Sequence, residues 1–359
     1  MRVIHVISNL NIGGAENMCT QLANSHADCC EVMIVVLNGS DNLNSFLSSL
    51  HPKVKIHHLG WKKKYSLTQL CNFTKLMRKL SPSVIHVHLH NPFYYVYAYS
   101  FITGTVKIVH TIHSSFEVWR PVLKYVNRLR ALNNKITHVC ISDSIYASFK
   151  SAFPKLRSVA INNGVLPHKS SREREEISEF WKSSGIDGSK YKFIAIGNIS
   201  EYKNYALLAA ALKKNKEAGC VIIGRKDILK ETEKIEAVGA SNVKLAGAIK
   251  NASDFIEGAD ALIVSSVQEG MPLATLEALA AGKPVIGTPA GGMKDIIKDG
   301  CNGFLASDFS VSALTNSITA FLDLSDDAKK EMSKNCLDSF SRNYDMNNIS
   351  NKYFELYKR

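Results

Sequence analysis

The sequence lacks the features of a membrane-spanning or disulfide-rich protein. It has no low-complexity tract, no fixed-period repeat, and no run of about 18 apolar residues, the minimum for a transmembrane helix. Its eight cysteines are scattered without a C-x-x-C pair, which argues against a disulfide framework and against a zinc site of ordinary spacing. The first residues, MRVIHVISNL, predict a short strand rather than a signal peptide. We therefore expect a reduced, cytoplasmic protein.

Acidic residues are scarce in the first half of the chain. Residues 1–165 contain 18 Lys and Arg against 6 Asp and Glu, whereas residues 166–359 contain 26 of each group. The formal net charge of +12 therefore belongs to the first half. This asymmetry favours a separate first domain with an acidic partner: nucleic acid, an anionic membrane or a phosphorylated acceptor. A solubilising surface is the alternative, and because no nucleic-acid-binding motif is present we expect no nucleic-acid partner.

Short Val- and Ile-rich runs alternate with helix-length segments in both halves. The alternation predicts βα units on mostly parallel sheets, so the fold class is α/β, with two doubly wound, Rossmann-like domains facing each other across a cleft. We place the domains at residues 1–165 and 166–340, followed by a helix at 341–359 that packs back toward the first domain. Ligands are expected at the carboxyl ends of the strands, in the cleft. The runs begin at residues 3, 31, 54, 84, 106, 137 and 157, and at 192, 219, 242, 260 and 283.

Two glycine-containing loops follow predicted strands. Gly13 and Gly14 precede a helix that starts near Ala15, where free backbone N–H groups form a ready anion site; a plain tight turn is the alternative. Gly197 ends a strand, and Lys203 is predicted to begin a helix. A lysine at the positive end of a helix dipole indicates a bound anion nearby, unless it is an ordinary surface lysine.

The segment SSVQEGMPLATLEALAAGKPVIGTPAGG contains a glutamate on the apolar side of a predicted helix. Pro272 suits the first helical position, and three residues mark the buried stripe: Leu273, Leu276 and Ala280. Glu277 lies within that stripe, where an unpaired carboxylate is expensive to bury. It therefore accepts hydrogen bonds either from two vicinal hydroxyls, such as those of a ribose, or from backbone groups.

The residues before this helix predict a diphosphate site. Glu269 is expected to end a strand, and Gly270 permits close approach of the backbone to a ligand. The free N–H groups of the helix from Pro272 then point at the ligand, an arrangement that suits a diphosphate. Glu269 is placed to hold sugar hydroxyls.

Glu269 and Glu277, with seven residues between them, resemble the signature of the family 4 retaining glycosyltransferases of GT-B fold. The resemblance extends over nearly the whole chain. The other segments that carry it are GGAEN at 13, SPSVIHVHLH at 81, TIHS at 111, INNGV at 161, GNISEYKN at 197 and VIIGRKD at 221.

This resemblance implies a hexosyltransferase that moves a sugar from a nucleotide-sugar to a glycan or lipid-linked acceptor, with retained anomeric configuration. UDP-sugars are the default donors and GDP-sugars the alternative; the donor is a co-substrate, and neither a cofactor nor a metal is expected. Residues 1–165 bind the acceptor and residues 166–340 the donor. The implied catalytic residues are Glu269, Lys203 and the sugar-contacting His113. The implied donor-binding residues are Gly13, Gly14, Gly197, Asn198, Lys203, Arg225, Glu269, Gly270, Met271, Pro272, Leu273 and, on the ribose, Glu277.

One position departs from the family pattern. An arginine usually follows the glycine of the phosphate loop, whereas this chain has Asn198. Asparagine donates a hydrogen bond but brings no charge, so stabilisation of the leaving group rests more on Lys203 and the helix amides. Arg225 either compensates for the missing charge or, as we favour, lies near the base.

The histidines suggest a second kind of site. His86, His88 and His90 alternate along a predicted strand end, so they point to one face of the sheet. Supporting carboxylate or cysteine ligands are absent nearby, and we expect no metal. His110 is interpreted as a structural neighbour of His113.

Among other enzyme classes, a sugar-nucleotide epimerase or hydrolase on the same double fold is the alternative; it requires acid and base residues in the cleft.

The charge of the first half also predicts peripheral attachment to the inner face of a membrane. Trp61 stands beside three lysines at residues 62–64, which pairs an interfacial aromatic with cations. The other basic residues considered are Lys75, Arg78, Lys79, Lys124, Arg128 and Arg130. Residues 68–80 have an apolar stripe at helical spacing, which we expect in the core with the cations outside. The aromatic segment at 91–102 either lines an acceptor entrance or forms a buried helix.

Overall fold

The computed structural model describes residues 1–11, 13–38, 49–61, 66–103, 106–113, 135–226 and 228–359. The chain forms two compact units. The first comprises Met1–Gly164 together with Met346–Arg359, and the second comprises Val165–Asp345. Within the described ranges, none of the helices combines the length and the apolar composition needed to cross a membrane.

The first unit is built on a seven-stranded parallel sheet in the order β3-β2-β1-β4-β5-β6-β7. Its strands are β1 (Arg2–Ile7), β2 (Glu31–Asn38), β3 (Lys55–Trp61), β4 (Val84–His88), β5 (Lys107–Ile112), β6 (Ile136–Cys140) and β7 (Ser158–Ala160). Its described helices are α1 (Gly14–His26), α2 (Leu67–Leu80), α3 (His90–Ser100), α4 (Asp143–Ala152) and, from the C-terminal segment, α12 (Met346–Lys358). Strand order reverses between β1 and β4, where α/β sheets place their ligands.

Helix α2 places its apolar stripe against the sheet. A capping box between Ser66 and Gln69 starts the helix, and Phe73 and Met77 are fully buried in the core. The exposed positions carry the cations: Lys75, Arg78 and Lys79. The expected division between a core stripe and outward cations is therefore observed.

Two aromatic segments of the first unit pack inward. Trp61 lies with its ring centroid 4.8 Å from that of Tyr95 and packs on the core. Trp61 is only partly buried against this core, and its role as an interfacial aromatic stays a prediction. In α3 the aromatic side chains of the 91–102 segment are mainly buried, so the buried-helix interpretation holds.

Helix α12 completes the core of the first unit. Tyr353 and Tyr357 are buried against the sheet, and Gly164 lies so close that an added Cβ would sit 2.9 Å from Ile349. The helix predicted for residues 341–359 begins only at Met346. Residues 341–343 end the preceding helix instead, because the chain turns at Tyr344, whose carbonyl accepts a hydrogen bond from the Val165 N–H at 3.0 Å.

The second unit has a six-stranded parallel sheet in the order β10-β9-β8-β11-β12-β13. Its strands are β8 (Tyr191–Ile196), β9 (Ala218–Ile223), β10 (Val243–Gly247), β11 (Ala261–Val264), β12 (Val285–Gly287) and β13 (Gly303–Leu305). Its helices are α5 (Arg174–Ser183), α6 (Tyr205–Leu212), α7 (Leu229–Ala237), α8 (Leu273–Ala280), α9 (Met293–Ile296), α10 (Val311–Leu322) and α11 (Asp326–Asn343), with 3₁₀ turns at Glu201–Lys203 and Ala252–Gly258. The predicted class, two doubly wound parallel α/β folds, is confirmed.

Candidate active site

In the second unit, glycines let two loops meet at the carboxyl edge of the sheet. Gly197 follows β8 with φ of 150°, and Gly224 follows β9. A Cβ added to Gly224 would overlap the carbonyl oxygen of Gly197. A side chain at Gly197 would lie 2.8 Å from the Cε atom of Lys203. The backbone is therefore bare where a ligand would approach, and Gly224, which lies in the VIIGRKD segment but was given no role, belongs to this edge.

Lys203 is directed at a carboxylate from a short 3₁₀ turn. It closes the turn Glu201–Lys203, and α6 begins only at Tyr205. The expectation that Lys203 begins a helix is therefore wrong, because Asn204 adopts a left-handed conformation, with φ of 46°, between the turn and α6. The Nζ atom of Lys203 lies 2.7 Å from Oε1 of Glu269. This ion pair joins two of the predicted catalytic residues.

Glu269 lies in a loop rather than at a strand end. Strand β11 ends at Val264, and the loop that follows carries Glu269 back over the edge of the sheet. The hydroxyl of buried Ser266 donates to Oε1 of Glu269 at 2.6 Å, and that of Ser265 donates to the Lys203 carbonyl at 2.8 Å. The loop position was misjudged because the apolar run extends only to Val264, and hydrogen bonds rather than a strand fix the carboxylate.

Helix α8 begins four residues after Glu269. Pro272 is the N-cap residue and α8 starts at Leu273, one residue later than predicted. The loop after β12 packs against the same turn, since the N–H of Gly292 donates to the carbonyl of Gly270 at 2.9 Å. Added Cβ atoms on Gly291 or Gly292 would overlap backbone carbonyl oxygens of this turn. The glycine pair thus belongs to the site and was missed as a functional element, although the pair itself was its signal.

Glu277 lies one turn into α8. The predicted stripe of Leu273, Leu276 and Ala280 is buried, while Glu277 is partly exposed. Burial raises the pKa of Glu277 to about 7, and the neighbouring Asp254 carboxylate adds to the rise. Throughout the described part of the chain, its carboxylate has no hydrogen-bond or ion-pair partner. Glu277 is therefore an acceptor available to an external donor group.

In the first unit, the loop after β1 leads directly into α1. Gly13 is the N-cap residue, with φ of −170°, and Gly14 is the first helical residue. The side chain of Glu16 folds back over this turn, so that an added Cβ at Gly13 would meet its carboxylate. Burial raises the pKa of Glu16. The described structure therefore places an acidic group, not a basic one, beside this helix N-terminus.

His113 follows β5 and belongs to a cluster of buried histidines. Its Nε2 atom lies 3.1 Å from Nδ1 of His88, and the other ring nitrogen of His88 lies 3.0 Å from Nδ1 of His5. His86 stacks on His88 with ring centroids 4.2 Å apart. Ligand atoms of His5, His86 and His88 all lie within 4.8 Å of one another. His5 was missed because only the strand register brings it opposite His86.

His90 does not join this cluster. Strand β4 ends at His88, and Leu89 turns the chain with φ of 67°, so His90 starts α3. Its ring meets that of His110 edge-on, 5.6 Å away. The predicted grouping of His86, His88 and His90 on one face is therefore wrong. Both nitrogens of His86 are already paired, with the Tyr357 hydroxyl at 2.6 Å and the Thr111 hydroxyl at 2.7 Å.

Two family models match the chain, one for each sheet. The model described as Glycosyltransferase Family 4 covers residues 12–168, and that described as Glycosyl transferases group 1 covers residues 176–337. The chain is a family 4 glycosyltransferase of GT-B fold. The resemblance drawn from the Glu269–Glu277 segment is thereby confirmed.

Curated relatives and solved structures agree with this assignment. The glycosyltransferase is 24% identical over 315 residues to the Escherichia coli UDP-Gal:alpha-D-GlcNAc-diphosphoundecaprenol alpha-1,3-galactosyltransferase, covering 81% of this chain and 79% of that protein. It is also 24% identical to the Campylobacter jejuni N,N'-diacetylbacillosaminyl-diphospho-undecaprenol alpha-1,3-N-acetylgalactosaminyltransferase, covering 64% of this chain and 57% of that protein. Anabaena HepE, solved with UDP and glucose, shares the fold with a TM-score of 0.82 at 18% identity, covering 99% of both chains.

The glycosyltransferase places a guanidinium next to its unusual asparagine. The Oδ1 atom of Asn198 accepts from the backbone N–H and from the Nε–H of Arg225, both at 3.4 Å. Arg225 follows Gly224 at the end of β9, so the two loops that meet at this edge also share this contact. A positive charge therefore stands beside the position at which the family usually has arginine.

Proposed function

We propose that this glycosyltransferase is a retaining hexosyltransferase that uses a UDP-sugar and a glycan or lipid-linked acceptor in surface polysaccharide or glycolipid biosynthesis. The observation that carries the donor site is Glu277, a carboxylate with a raised pKa and without a partner in the described structure. A nucleotide ribose offers two vicinal hydroxyl donors, and hydrogen bonds to a charged acceptor are among the stronger ones. Binding of the ribose would satisfy a group that the fold alone leaves unsatisfied.

The neighbouring cations supply the diphosphate site. Lys203 and the first N–H groups of α8 lie at one edge of the same sheet, and Arg225 adds a guanidinium there. A helix N-terminus and fixed cations favour an anion, and they stabilise the charge that develops as the diphosphate leaves. Lys203 holds Glu269 in the ligand-free protein, so donor binding would draw Lys203 onto the phosphate and release the carboxylate for sugar hydroxyls.

We propose a transfer that requires no metal and forms no covalent sugar–enzyme intermediate. Once released from Lys203, Glu269 would accept hydrogen bonds from the sugar hydroxyls while Ser266 still donates to it. The leaving phosphate oxygen would take the proton of the acceptor hydroxyl on the same face of the sugar, which retains the anomeric configuration. The protein contributes orientation and charge stabilisation.

The choice of UDP and of a lipid-linked acceptor rests on the relatives. The Escherichia coli relative is named for UDP-Gal and for a diphosphoundecaprenol acceptor, and HepE was solved with UDP and glucose. A panel of UDP- and GDP-sugars tests the proposal through thermal stabilisation and donor hydrolysis, followed by transfer assays with short-chain polyprenyl diphosphate sugars. Stabilisation by GDP-sugars alone would show that the donor base is guanine rather than uracil. An epimerised nucleotide-sugar product without transfer would favour the epimerase alternative.

We further propose that cations of the first unit adsorb to an anionic membrane. Lys75, Arg78 and Lys79 are exposed on α2, whereas the lysines at 62–64 and the residues Lys124, Arg128 and Arg130 lie outside the described residues. Each cation near an anionic surface contributes about 1 kcal/mol, so adsorption would be reversible and salt-sensitive.

Vesicle co-sedimentation tests this adsorption. The Lys75→Ser, Arg78→Ser, Lys79→Ser variant should lose binding to anionic vesicles at low salt. The matched control in the second unit is the variant Lys213→Ser, Lys214→Ser, Lys216→Ser. It also removes three exposed positive charges and should bind like the wild type. Equal binding to neutral and anionic vesicles, or equal losses in both variants, would contradict the proposal.

A further inference from the structure

The buried histidines of the first unit form a hydrogen-bonded chain that ends at His113. His5 on β1, His88 on β4 and His113 after β5 occupy one face of three neighbouring strands. The contacts run from Nδ1 of His5 to Nε2 of His88, at 3.0 Å, and from Nδ1 of His88 to Nε2 of His113, at 3.1 Å. Each link thus joins the same two kinds of ring nitrogen, and the chain has a single direction.

All three imidazoles are neutral at neutral pH. Burial lowers the pKa of His5 to about 3 and that of His113 to about 3, and it lowers the pKa of His88 well below the ordinary value. A neutral imidazole has one N–H and one bare nitrogen. In a head-to-tail chain of such rings, the tautomer of one ring dictates the tautomer of the next. Only two arrangements of the protons satisfy both hydrogen bonds.

The inner end of the chain distinguishes these two arrangements. Nε2 of His5 is buried and has no hydrogen-bond partner among the described residues. If His113 donated to His88, and His88 to His5, then His5 would carry its proton on this Nε2 and bury an N–H without an acceptor. If instead His5 donates to His88 and His88 donates to His113, Nε2 of His5 is a bare nitrogen. The N–H groups of His5 and His88 then both have acceptors, and only the N–H of His113 is left over. A buried N–H without an acceptor is rarer in proteins than a buried acceptor without a donor. The arrangement in which His5 donates to His88 is therefore favoured.

His26 provides an internal precedent for a buried bare nitrogen. Its Nε2 lies 2.9 Å from the carbonyl oxygen of Ser350, so that nitrogen carries the proton and Nδ1 is bare. This Nδ1 is also buried and lacks a partner among the described residues. This imidazole therefore leaves its acceptor nitrogen unpaired among the described residues while its N–H is satisfied.

We propose that His5 and His88 are positioning residues that hold His113 in its Nδ1–H tautomer, so that it presents a hydrogen-bond donor to an oxygen of a bound sugar. This inference rests on the proposed function for the sugar contact alone. In this arrangement His5 donates to His88, His88 donates to His113, and the outermost N–H is Nδ1 of His113. That atom has no partner within the described structure, which leaves it free for a ligand.

Nitrogen NMR of the full-length, ligand-free protein tests the tautomer directly. Histidine side chains labelled with ¹⁵N distinguish protonated from bare ring nitrogens, and we expect a proton on Nδ1 and a bare Nε2 in His113. The result requires no substrate, so it stands apart from any failure of the proposed function. A His113 ring protonated on Nε2 would overturn the inference. So would tightly bound Zn²⁺ whose removal by a chelator changes the spectrum of His5 or His88.

Two substitutions of His88 test the consequence for catalysis. In His88→Asn the side-chain amide can still donate to Nε2 of His113, whereas His88→Phe keeps the ring and removes the donor. We expect His88→Phe to lower kcat roughly 10²-fold, the scale of a misoriented catalytic contact, while affinity for UDP is unchanged. His88→Asn should recover most of the loss, and His138→Phe, at an equally buried histidine on β6, should retain activity.

The double variant decides between positioning and simple destabilisation. In a His113→Ala background, His88→Phe should produce no further loss of kcat, because the group that it orients is gone. Additive losses would show that His88 acts independently of His113 and would overturn the inference. Equal losses in His88→Asn and His88→Phe would do the same.

Discussion

The two sheets carry opposite chemistry at their carboxyl ends. The edge of the second sheet bears charges: Lys203 paired with Glu269, Arg225 beside Asn198, and Glu277, which lacks a partner among the described residues. The corresponding face of the first sheet bears neutral imidazoles that are hydrogen-bonded to one another. A diphosphate requires charge, whereas sugar hydroxyls require uncharged donors and acceptors with fixed directions. Under the proposed function, we expect the charged edge of the second unit to stabilise a leaving diphosphate and the imidazoles of the first unit to orient sugar hydroxyls.

The largest expected effect is on donor binding at Glu277. Glu277→Gln should weaken binding of the nucleotide-sugar by roughly 10²-fold, because the amide keeps an acceptor oxygen but loses the charge that strengthens two hydrogen bonds by about 1–1.5 kcal/mol each. Calorimetric titration with UDP measures the loss. Glu233→Gln, at an exposed position of α7, is the matched control and should bind UDP normally. Near-normal affinity in Glu277→Gln would remove the basis for assigning the ribose to this residue.

Loss of the cation at position 203 should affect turnover more than binding. Lys203→Ala should lower kcat by roughly 10²-fold or more, the scale of one preorganised donor on a developing charge. Lys213→Ala, at an exposed position of the same unit, is the control. Steady-state kinetics with saturating donor provide the measurement, and unchanged turnover would mean that another group neutralises the diphosphate.

A smaller loss of kcat/KM is expected on substitution of Arg225, the arginine beside Asn198. If Arg225 supplies the charge that Asn198 lacks, Arg225→Ala should lower kcat/KM about 10-fold, since the guanidinium is partly exposed and screened. Asn198→Arg introduced into that background should restore activity, whereas Asn198→Ala should not. If Asn198→Arg fails to restore activity while both variants remain folded, Arg225 would instead contact the nucleotide base. Its loss should then change the preference between UDP- and GDP-sugars.

The smallest effect concerns stability and pH. The folded-state pKa of Glu277, about 7, is above the ordinary value, so the folded protein binds more protons than the unfolded chain between about pH 4.5 and 7. Its stability should therefore fall as pH rises through this window. Glu277→Gln removes the titration and should raise Tm at pH 8 by roughly 2–4 °C, with no gain at pH 4. Parallel Tm curves for both proteins would contradict the raised pKa.

The sequence was sufficient for most of the strands because they are Val- and Ile-rich runs between turn residues. Among the described strands only β13 was not predicted, since the three residues Gly303–Leu305 are too short to form a recognisable run; its pairing depends on Gly303 lying against the Val285 carbonyl. The Glu269 and Glu277 pair was recognisable because both lie in one continuous segment. The chain His5–His88–His113 was not, because strand register joins residues 83 and 25 positions apart, and register is not visible in local spacing.

The placement of Met346–Lys358 in the first unit has a consequence for synthesis on the ribosome. Tyr353 and Tyr357 fill the core beside β4 and β5, and the Tyr357 hydroxyl pairs with a buried nitrogen of His86. Domains ordinarily fold in order as they emerge from the exit tunnel. Here the second unit emerges complete while the first still lacks a helix, so the domain translated first should be the last to mature. Nascent chains stalled before Met346 should therefore expose apolar sheet surface to chaperones.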